Sequence, residues 1–189
     1  MATLPPLLTP EQFSIGTNGQ ITASDPRVPA LLAGASAAVR RYCGWHIAPV
    51  LTEEDVLLDG SGGSVLRLPT LRLRALLALH NHTTELDVDA AEWSTKGLVR
   101  LRHSHWTDRY RGVRASYIHG YDLDEVPDLQ QIVQQVVGHA ISSPLGATRE
   151  QAGSLAVQWA TTAPGVSGGL TLLERDYAIL NSYRLEAAA

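Results

Sequence analysis

The sequence of 189 residues is poor in several residue types that specialised proteins depend on. It has a single cysteine, Cys43, which excludes an internal disulfide framework and a cysteine-based zinc finger. Lys96 is the only lysine beside fourteen arginines, and the formal net charge is −4. A protein held to nucleic acid by uniform positive charge is therefore not expected. No apolar run approaches the length of about 18 residues that a membrane-spanning helix needs.

The first residues, MATLPPLLTPEQF, lack the basic segment and the long apolar run of a signal peptide. We therefore expect a soluble protein, made in the cytosol, that has no membrane partner. A lone cysteine agrees with a reducing compartment. The final residues, Leu185 to Ala189, are kept out of the fold prediction because a tail of this kind need not be native.

The composition is nevertheless that of a folded protein. Apolar residues make up 44% and charged residues 18% of the chain, which is enough to build a hydrophobic core. The length predicts a single domain over residues 1–189. Sixteen glycines and ten prolines are many for a helical bundle and favour turns and β structure between the helices.

Four helices are predicted from start signals and periodicity. Thr9 to Gln12 forms a capping box with Pro10 at the first helical position. Ser24-Asp25-Pro26 is predicted to open a longer helix that ends at Gly44, with Arg40 and Arg41 in its last turn. An amphipathic run over about 126–142 predicts a third helix. Thr171-Leu172-Leu173-Glu174 is predicted to open the last one.

Between about 48 and 120 the hydrophobic period changes from 3.6 towards 2, which predicts β structure. The glycine-rich stretch Asp59 to Ser64 is interpreted as a hairpin loop, since it lacks the Gly-Lys-Ser/Thr end of a phosphate loop. The candidate strands are Glu54–Leu58, Val65–Leu68, Leu73–Leu79, Glu85–Val88, Gly97–Leu101 and Val113–His119.

After the third helix, Thr148 to Gln151 is a second candidate capping box. A strand is predicted over 154–160, and Pro164 to Gly169 is interpreted as a flexible link. The predicted fold class is therefore α+β. A small α-helical bundle, from about 9–47 and 122–184, carries a β-rich insertion over about 48–120.

Two His-x-His pairs are the sharpest metal-like signal: His80 with His82, and His103 with His105. Residues i and i+2 on a strand face the same way, so adjacent strands could bring four imidazoles together. A metal-dependent enzyme is one alternative on this basis. Against it, Asn81-His82 is typical of a turn and nearby arginines would repel a divalent cation. We expect no metal, no cofactor and no catalytic residue here.

A second signal is a basic stretch interleaved with aromatic residues. Residues 67–114 carry nine Arg or Lys and five Asp or Glu, while the rest of the chain carries six and fourteen. Arginine with Trp106 and Tyr110 suits either a nucleic-acid patch or a protein interface. Because the total charge is negative and lysine is nearly absent, an interface is favoured. A nucleic-acid-binding module that uses Arg100 to Arg114 stays open as an alternative.

Cys43 is not expected to be reactive. It lies next to Gly44-Trp45-His46, which could suggest a thiol–imidazole pair. However, the last turn of a helix is the negative end of its dipole, which disfavours the thiolate. The residue is interpreted as a packing residue.

Several segments, in this order, resemble a known family. They are Val28–Cys43 with its exit Arg41 to Ile47, the loop Asp59 to Gly63 leading to Val65-Leu66-Arg67-Leu68-Pro69, the stretch Tyr117 to Tyr121 followed by Val126-Pro127, and Leu172 to Leu180 with Tyr183-Arg184. Together they resemble the head-to-tail connector (adaptor) proteins of long-tailed bacteriophages, in the branch common among phages of actinobacteria.

This resemblance implies a small helical bundle with a β-rich insertion and a structural role without chemistry or cofactor. Such adaptors join the portal vertex after DNA packaging and form a homo-oligomeric ring of twelve subunits beneath the portal. The ring continues the channel for double-stranded DNA, without sequence-specific binding, and offers a platform to the next neck or tail protein. The implied location is the virion, after assembly in the host cytoplasm.

A closed ring places two different faces of each subunit together, so complementary charges within one chain would be useful. We predict that arginines of one copy meet carboxylates of the next: Arg100, Arg102, Arg109 and Arg111 with Asp122, Asp124, Glu125 or Asp128. The last helix is a second candidate surface, which would dock on the portal or a neighbour or pack on its own core. Its residues are Leu172, Leu173, Tyr177, Leu180, Tyr183 and Arg184.

Overall fold

The computed structural model describes residues 4–142, 149–152, 155–158 and 172–186, with the backbone alone at 149–152 and 155–158. The chain divides into two compact units. The helical unit comprises residues 1–44 and 126–184, and the β unit is built from residues 45–125. In the described part of the helical unit, no helix combines the length and apolar character needed to cross a membrane, and the same holds for the β unit.

The helical unit contains helices α1 (Pro10–Gly16), α2 (Val28–Cys43), α3 (Pro127–Ser142) and α4 (Glu174–Leu180), and a two-stranded hairpin of β8 (Arg149–Ala152) and β9 (Leu155–Gln158). Helix α2 packs against each of the other three helices. Its apolar stripe of Val28, Leu32, Ala35 and Val39 is fully buried, as the helical spacing predicts.

Local signals account for the ends of these helices. The hydroxyl of Thr9 accepts a hydrogen bond from the Gln12 N–H at 3.2 Å, and the Gln12 side chain accepts one from the Thr9 N–H at 2.9 Å. This confirms the predicted capping box. Gly44 ends α2 with φ of +80°, a left-handed conformation that favours glycine.

Three predicted starts differ from the structure. The N-cap position of helix α2 is Arg27 and not Ser24, and its side chain makes no capping hydrogen bond. The Asp25 carboxylate accepts from the Arg27 N–H at 2.9 Å and pairs with its guanidinium. Helix α4 begins at Glu174, and the side chain of Asp176 accepts from the Leu173 N–H at 2.8 Å. The predicted capping box at Thr148 to Gln151 is wrong, since Arg149–Ala152 is a strand.

The β unit holds two antiparallel sheets. Its strands are β1 (Leu51–Leu58), β2 (Val65–Arg67), β3 (Leu73–Asn81), β4 (Thr84–Leu86), β5 (Ala91–Trp93), β6 (Leu98–Leu101) and β7 (Val113–His119). Four strands form one sheet in the order β1-β7-β3-β4, and three form the other in the order β2-β6-β5. A single apolar cluster takes buried side chains from both sheets, with Trp106 and Tyr117 the largest.

The strand predictions are confirmed in outline. Val113–His119 is placed as predicted, and it alternates buried and less buried residues. The predicted strand Glu85–Val88 is shifted, since Thr84–Leu86 is the strand and Val88 begins a short 3-10 turn. Ala91–Trp93 was not predicted. The hairpin interpretation of Asp59 to Ser64 is wrong, because this loop joins strands of two different sheets.

The predicted flexible link, Pro164 to Gly169, lies outside the described residues. The predicted strand over 154–160 is found as Leu155–Gln158. The fold is thus α+β, a small set of helices with a β-rich insertion in the chain between α2 and α3.

Candidate functional site

The basic stretch of the β unit lies on exposed strand and loop positions. Arg100 belongs to β6, opposite Glu92 of β5, and Arg102 follows the end of β6. Glu92 pairs with both guanidinium groups, at 3.7 Å from Arg100 and 2.9 Å from Arg102. All three side chains are more than 40% exposed, so these pairs contribute little to stability. One carboxylate is thus shared between two arginines.

The loop that follows β6 separates the two aromatic residues of the predicted patch. Trp106 is 1% exposed, and its indole N–H donates to the carbonyl of Val99 at 3.3 Å. Tyr110 is 88% exposed, more than the other large apolar side chains of the described residues. Trp106 therefore belongs to the core, and Tyr110 alone is offered to a partner.

Hydrogen bonds hold the base of this loop. The N–H of Arg111 donates to the Asp59 carboxylate at 2.7 Å, and the Arg109 carbonyl accepts from the N–H of Gly60 at 3.0 Å. The Arg109 guanidinium lies 3.1 Å from a ring nitrogen of His82. Arg109-Tyr110-Arg111 is consequently a fixed, exposed protrusion in which an arginine precedes and follows the tyrosine in the sequence.

The predicted acidic residues of the β unit are brought together by arginines of the same unit. Arg74 pairs with Asp122 at 2.8 Å and with Glu125 at 2.5 Å, and Arg72 pairs with Glu125 at 2.6 Å. The pKa of Glu125 is lowered, first by the Asp122 N–H that it accepts and then by Arg72 and Arg74. Sequence reasoning did not single out Arg72 or Arg74. Asp124 is exposed and has no ion-pair partner among the described residues.

Asp128, the last predicted acidic residue, belongs to the first turn of α3. Both of its carboxylate oxygens accept from the hydroxyl of Tyr183 at 3.0 Å, and one accepts from the N–H of Leu129. It therefore holds the end of the chain against α3 within the helical unit.

The candidate docking helix α4 lies on its own helical unit. Leu180 is fully buried, and the Cys43 thiol of α2 lies 3.6 Å from its carbonyl. The rings of Tyr42 and Tyr177 lie 4.8 Å apart, and the Tyr42 hydroxyl donates to the Asn181 side chain at 2.7 Å. Arg184 lies over the Tyr42 ring at 5.3 Å.

One face of α4 remains outward. Tyr177 is 36% and Ile179 38% exposed, whereas Leu172 and Leu173 are half-buried. Arg175 donates to the side chain of Gln135 of α3 at 2.8 Å. In this arrangement α4 offers Tyr177 and Ile179, and not Leu180, to another molecule.

The two His-x-His pairs do not form the arrangement that a metal needs. His80 lies on β3 opposite Arg114, whereas His82 is in the turn after β3 with φ of +58°. His103 and His105 are exposed in the loop after β6. Among the described residues, no three His, Cys, Asp or Glu side chains are placed to hold a metal ion.

A buried aromatic and imidazole cluster was missed from the sequence. His119 stacks near Trp45, and its ring lies 4.3 Å from that of His46 and 4.8 Å from that of Tyr117. Burial lowers the pKa of His119 to about 4 and raises the pKa of Tyr117. The strand pattern placed His119 at the end of a strand but gave no sign of its contacts with Trp45 and His46, which precede β1.

Cys43 is a packing residue, as predicted. Its thiol is fully buried, and burial raises its pKa to about 11. The expected cause was the helix dipole, whereas in the structure burial raises the pKa of the thiol and Arg184 lowers it. A thiol of this kind is not a nucleophile at neutral pH.

The chain matches no protein-family model, and no curated protein matches its sequence. Solved structures share its fold, among them two particle necks. One is the neck of a native GTA (gene transfer agent) particle computed with C12 symmetry, with 13% identity, a TM-score of 0.57, and coverage of 100% of this chain and 95% of that one.

The other is the neck of an empty GTA particle computed with C6 symmetry. It is 14% identical with a TM-score of 0.60, and the match again covers 100% of this chain and 95% of that chain. The match therefore includes both the helical unit and the β unit.

Proposed function

We propose that this chain is a structural protein of the neck that joins head and tail in a phage-like particle. The observation that carries the proposal is the likeness of fold over 100% of the chain to proteins of two particle necks. The resemblance of segments such as Val28–Cys43 to phage adaptors was drawn from the sequence alone and points the same way. The proposed role is assembly, without catalysis.

The finer proposal is a head-to-tail adaptor. It would form a ring beneath the portal protein, extend the channel through which double-stranded DNA passes, and support the next neck or tail protein. The C12 symmetry of one neck favours a ring of twelve copies. The assignment to the adaptors of actinobacterial phages rests on the sequence resemblance. The chain would act in the particle after assembly in the host cytoplasm.

Charge supports a ring whose subunits meet through different faces. Of the predicted pairs, Arg109, Arg111 and Asp124 have no ion-pair partner within the described residues. Arg100 and Arg102 share Glu92, while Asp122 and Glu125 are held by Arg72 and Arg74. A neighbour would have to compete for the second group, so we expect the first group to dominate contacts between copies.

Docking of α4 on the portal or a neighbour is proposed for its outward face. Tyr177 and Ile179 are the exposed apolar residues there, and Leu180 stays on the helical unit. A deletion of residues 170–185 separates docking from packing. Loss of particle attachment by a folded variant indicates docking, and unfolding of the helical unit indicates packing.

The direct test is cryo-electron microscopy of DNA-filled, tail-less heads of the source particle after incubation with this protein. We expect a closed ring of added density beneath the portal. The matched control is the same protein with Leu180→Asp, which removes the helical unit's packing and should leave the vertex bare. Absence of density with a protein shown to be folded would overturn the adaptor role.

A further inference from the structure

An acidic cleft in the β unit has the chemistry to receive the protrusion Arg109-Tyr110-Arg111. The cleft has a volume of about 360 Å³ and is lined by the apolar side chains of Leu86, Ala90 and Leu101. Asp87 and Asp89 stand beside these residues, together with Arg102, His103 and Ser104. It thus joins an apolar floor to two carboxylates.

Some charged side chains of the cleft have partners within the chain and others do not. Arg102 is paired with Glu92 at 2.9 Å, so part of its charge is offset within the chain. One oxygen of Asp87 accepts from the Asp89 N–H at 3.0 Å. In the described part of the chain, no cation pairs with Asp89. The side of the cleft that carries the two aspartates is therefore available to a cationic partner.

The protrusion is the complementary feature on the same unit. Tyr110 is 88% exposed, although its loop is fixed by the bonds from Arg111 to Asp59 and from Gly60 to Arg109. A fixed loop loses little conformational entropy on binding. Tyrosine and arginine are the residue types that dominate binding energy at interfaces.

We propose that the Tyr110 ring of one copy enters the cleft of a second copy, where Arg109 and Arg111 face Asp87 and Asp89. The occupant is a second copy because the protrusion and the cleft match in charge and lie on different elements of one chain. Such a contact joins two different faces and can repeat around a ring. This inference rests on the proposed self-assembly and names the residues that mediate it.

Disulfide trapping tests this contact. The native thiol of Cys43 is buried, so we expect it to form no competing disulfide. A variant that combines Asp108→Cys, an exposed position beside the protrusion that leaves Tyr110 in place, with Ala90→Cys is assembled on tail-less heads and, in parallel, concentrated alone and oxidised. We expect a reducible ladder of covalent oligomers on a non-reducing gel. Ile15→Cys with Ala90→Cys is the control, since Ile15 is 77% exposed on α1, and it should give no ladder.

A charge exchange tests the pairing without new thiols. We expect Arg111→Asp to raise the protein concentration at half-assembly by about tenfold, and Asp89→Arg in the same chain to restore most of this loss. Lys96→Asp reverses an exposed charge in the turn before β6 and should change the midpoint by less than about twofold. Circular dichroism confirms that each variant is folded.

The outcomes separate this inference from the proposed function. A ring on the portal without the ladder overturns the contact and leaves the adaptor role standing. A ladder in solution without a ring supports the contact and counts against the adaptor role. Neither ring nor ladder overturns both. Binding of double-stranded DNA that Arg111→Asp abolishes, without a ladder, would assign the protrusion to nucleic acid and overturn the proposal.

Discussion

In the helical unit, polar side chains close helix ends and hold α4, whereas the described part of the β unit buries polar groups without partners and displays its charges on strands and loops. Thr9, Asp128 and Asp176 each accept from a nearby N–H or hydroxyl. In the β unit, the Tyr117 hydroxyl and both His119 ring nitrogens are buried without a hydrogen bond among the described residues. The polar groups named in the helical unit thus have hydrogen-bond partners that stabilise it, whereas those named in the β unit have none.

The largest effect is expected from the contact that fixes α4. Leu180 is fully buried, so Leu180→Ala should lower the free energy of unfolding by about 2–5 kcal/mol through lost burial and a cavity. Urea denaturation measures this. Ile179→Ala, at a position 38% exposed, is the matched control and should cost less than about 1 kcal/mol. Equal losses for both would mean that α4 does not pack as described.

The buried imidazole of the β unit should make stability depend on pH. Its pKa is about 4 when folded against a usual 6.5, so below pH 6.5 the unfolded chain binds more protons. Stability is therefore present above pH 6.5 and is lost as the pH falls towards 4, by roughly 3 kcal/mol. Glu53, 3.6 Å away and 40% exposed, offsets little of this.

Urea denaturation at pH 7.0 and pH 4.5 checks that dependence. His119→Leu removes the titrating group, so its stability should fall less over this range than that of the unaltered chain. The remaining fall measures the carboxylates. An identical pH dependence for both proteins would show that protonation of His119 is not coupled to folding.

A smaller effect is expected at the hydroxyl that closes the chain end. Tyr183→Phe removes the one hydroxyl proton that the two Asp128 carboxylate oxygens share, and it should cost about 1–2 kcal/mol, since a carboxylate acceptor makes a stronger hydrogen bond than a neutral one. Tyr42→Phe loses only a bond to the neutral Asn181 side chain and should cost about 0.5–1 kcal/mol. The reverse order in thermal unfolding would contradict the role given to Asp128.

The smallest change, and of opposite sign, is expected at the other buried hydroxyl. Tyr117→Phe removes a group that has no partner in the described structure, so the free energy of unfolding should stay level or rise by up to about 1 kcal/mol. A marked loss of unfolding free energy in urea denaturation would show that this hydroxyl has a hydrogen-bond partner. The two units would then differ less in how they satisfy buried polar groups.

The elements that were predicted correctly from the sequence are those that depend on nearby residues. Thr9 and Gly44 act on neighbours within four residues, so their caps were read correctly. Strand Val113–His119 was found from its alternation. Ala91–Trp93 was missed because three residues carry no period, and it is a strand only by pairing with β6.

The partners of charged side chains were the feature that the sequence predicted least well. The pairing of Asp122 and Glu125 with a neighbouring copy stays a prediction, whereas their pairing with Arg74 of the same chain was not foreseen. Arg74 lies 48 residues before Asp122 and is brought to it by the pairing of β3 with β7. Tyr110 and Trp106 have the same residue class and lie four positions apart, yet only the fold shows that one is exposed and the other buried. Such distinctions depend on long-range register, which local spacing does not encode.

The rate at which the buried Cys43 thiol reacts can report how often the packing around α4 opens. It lies 3.6 Å from the carbonyl of Leu180 and is fully buried, so a thiol reagent reaches it when the packing around it opens, lifting of the last helix included. The labelling rate therefore counts such events in the unaltered protein, without a dye or a mutation. The same count, taken free and on a particle, would report whether attachment holds the helix down or releases it.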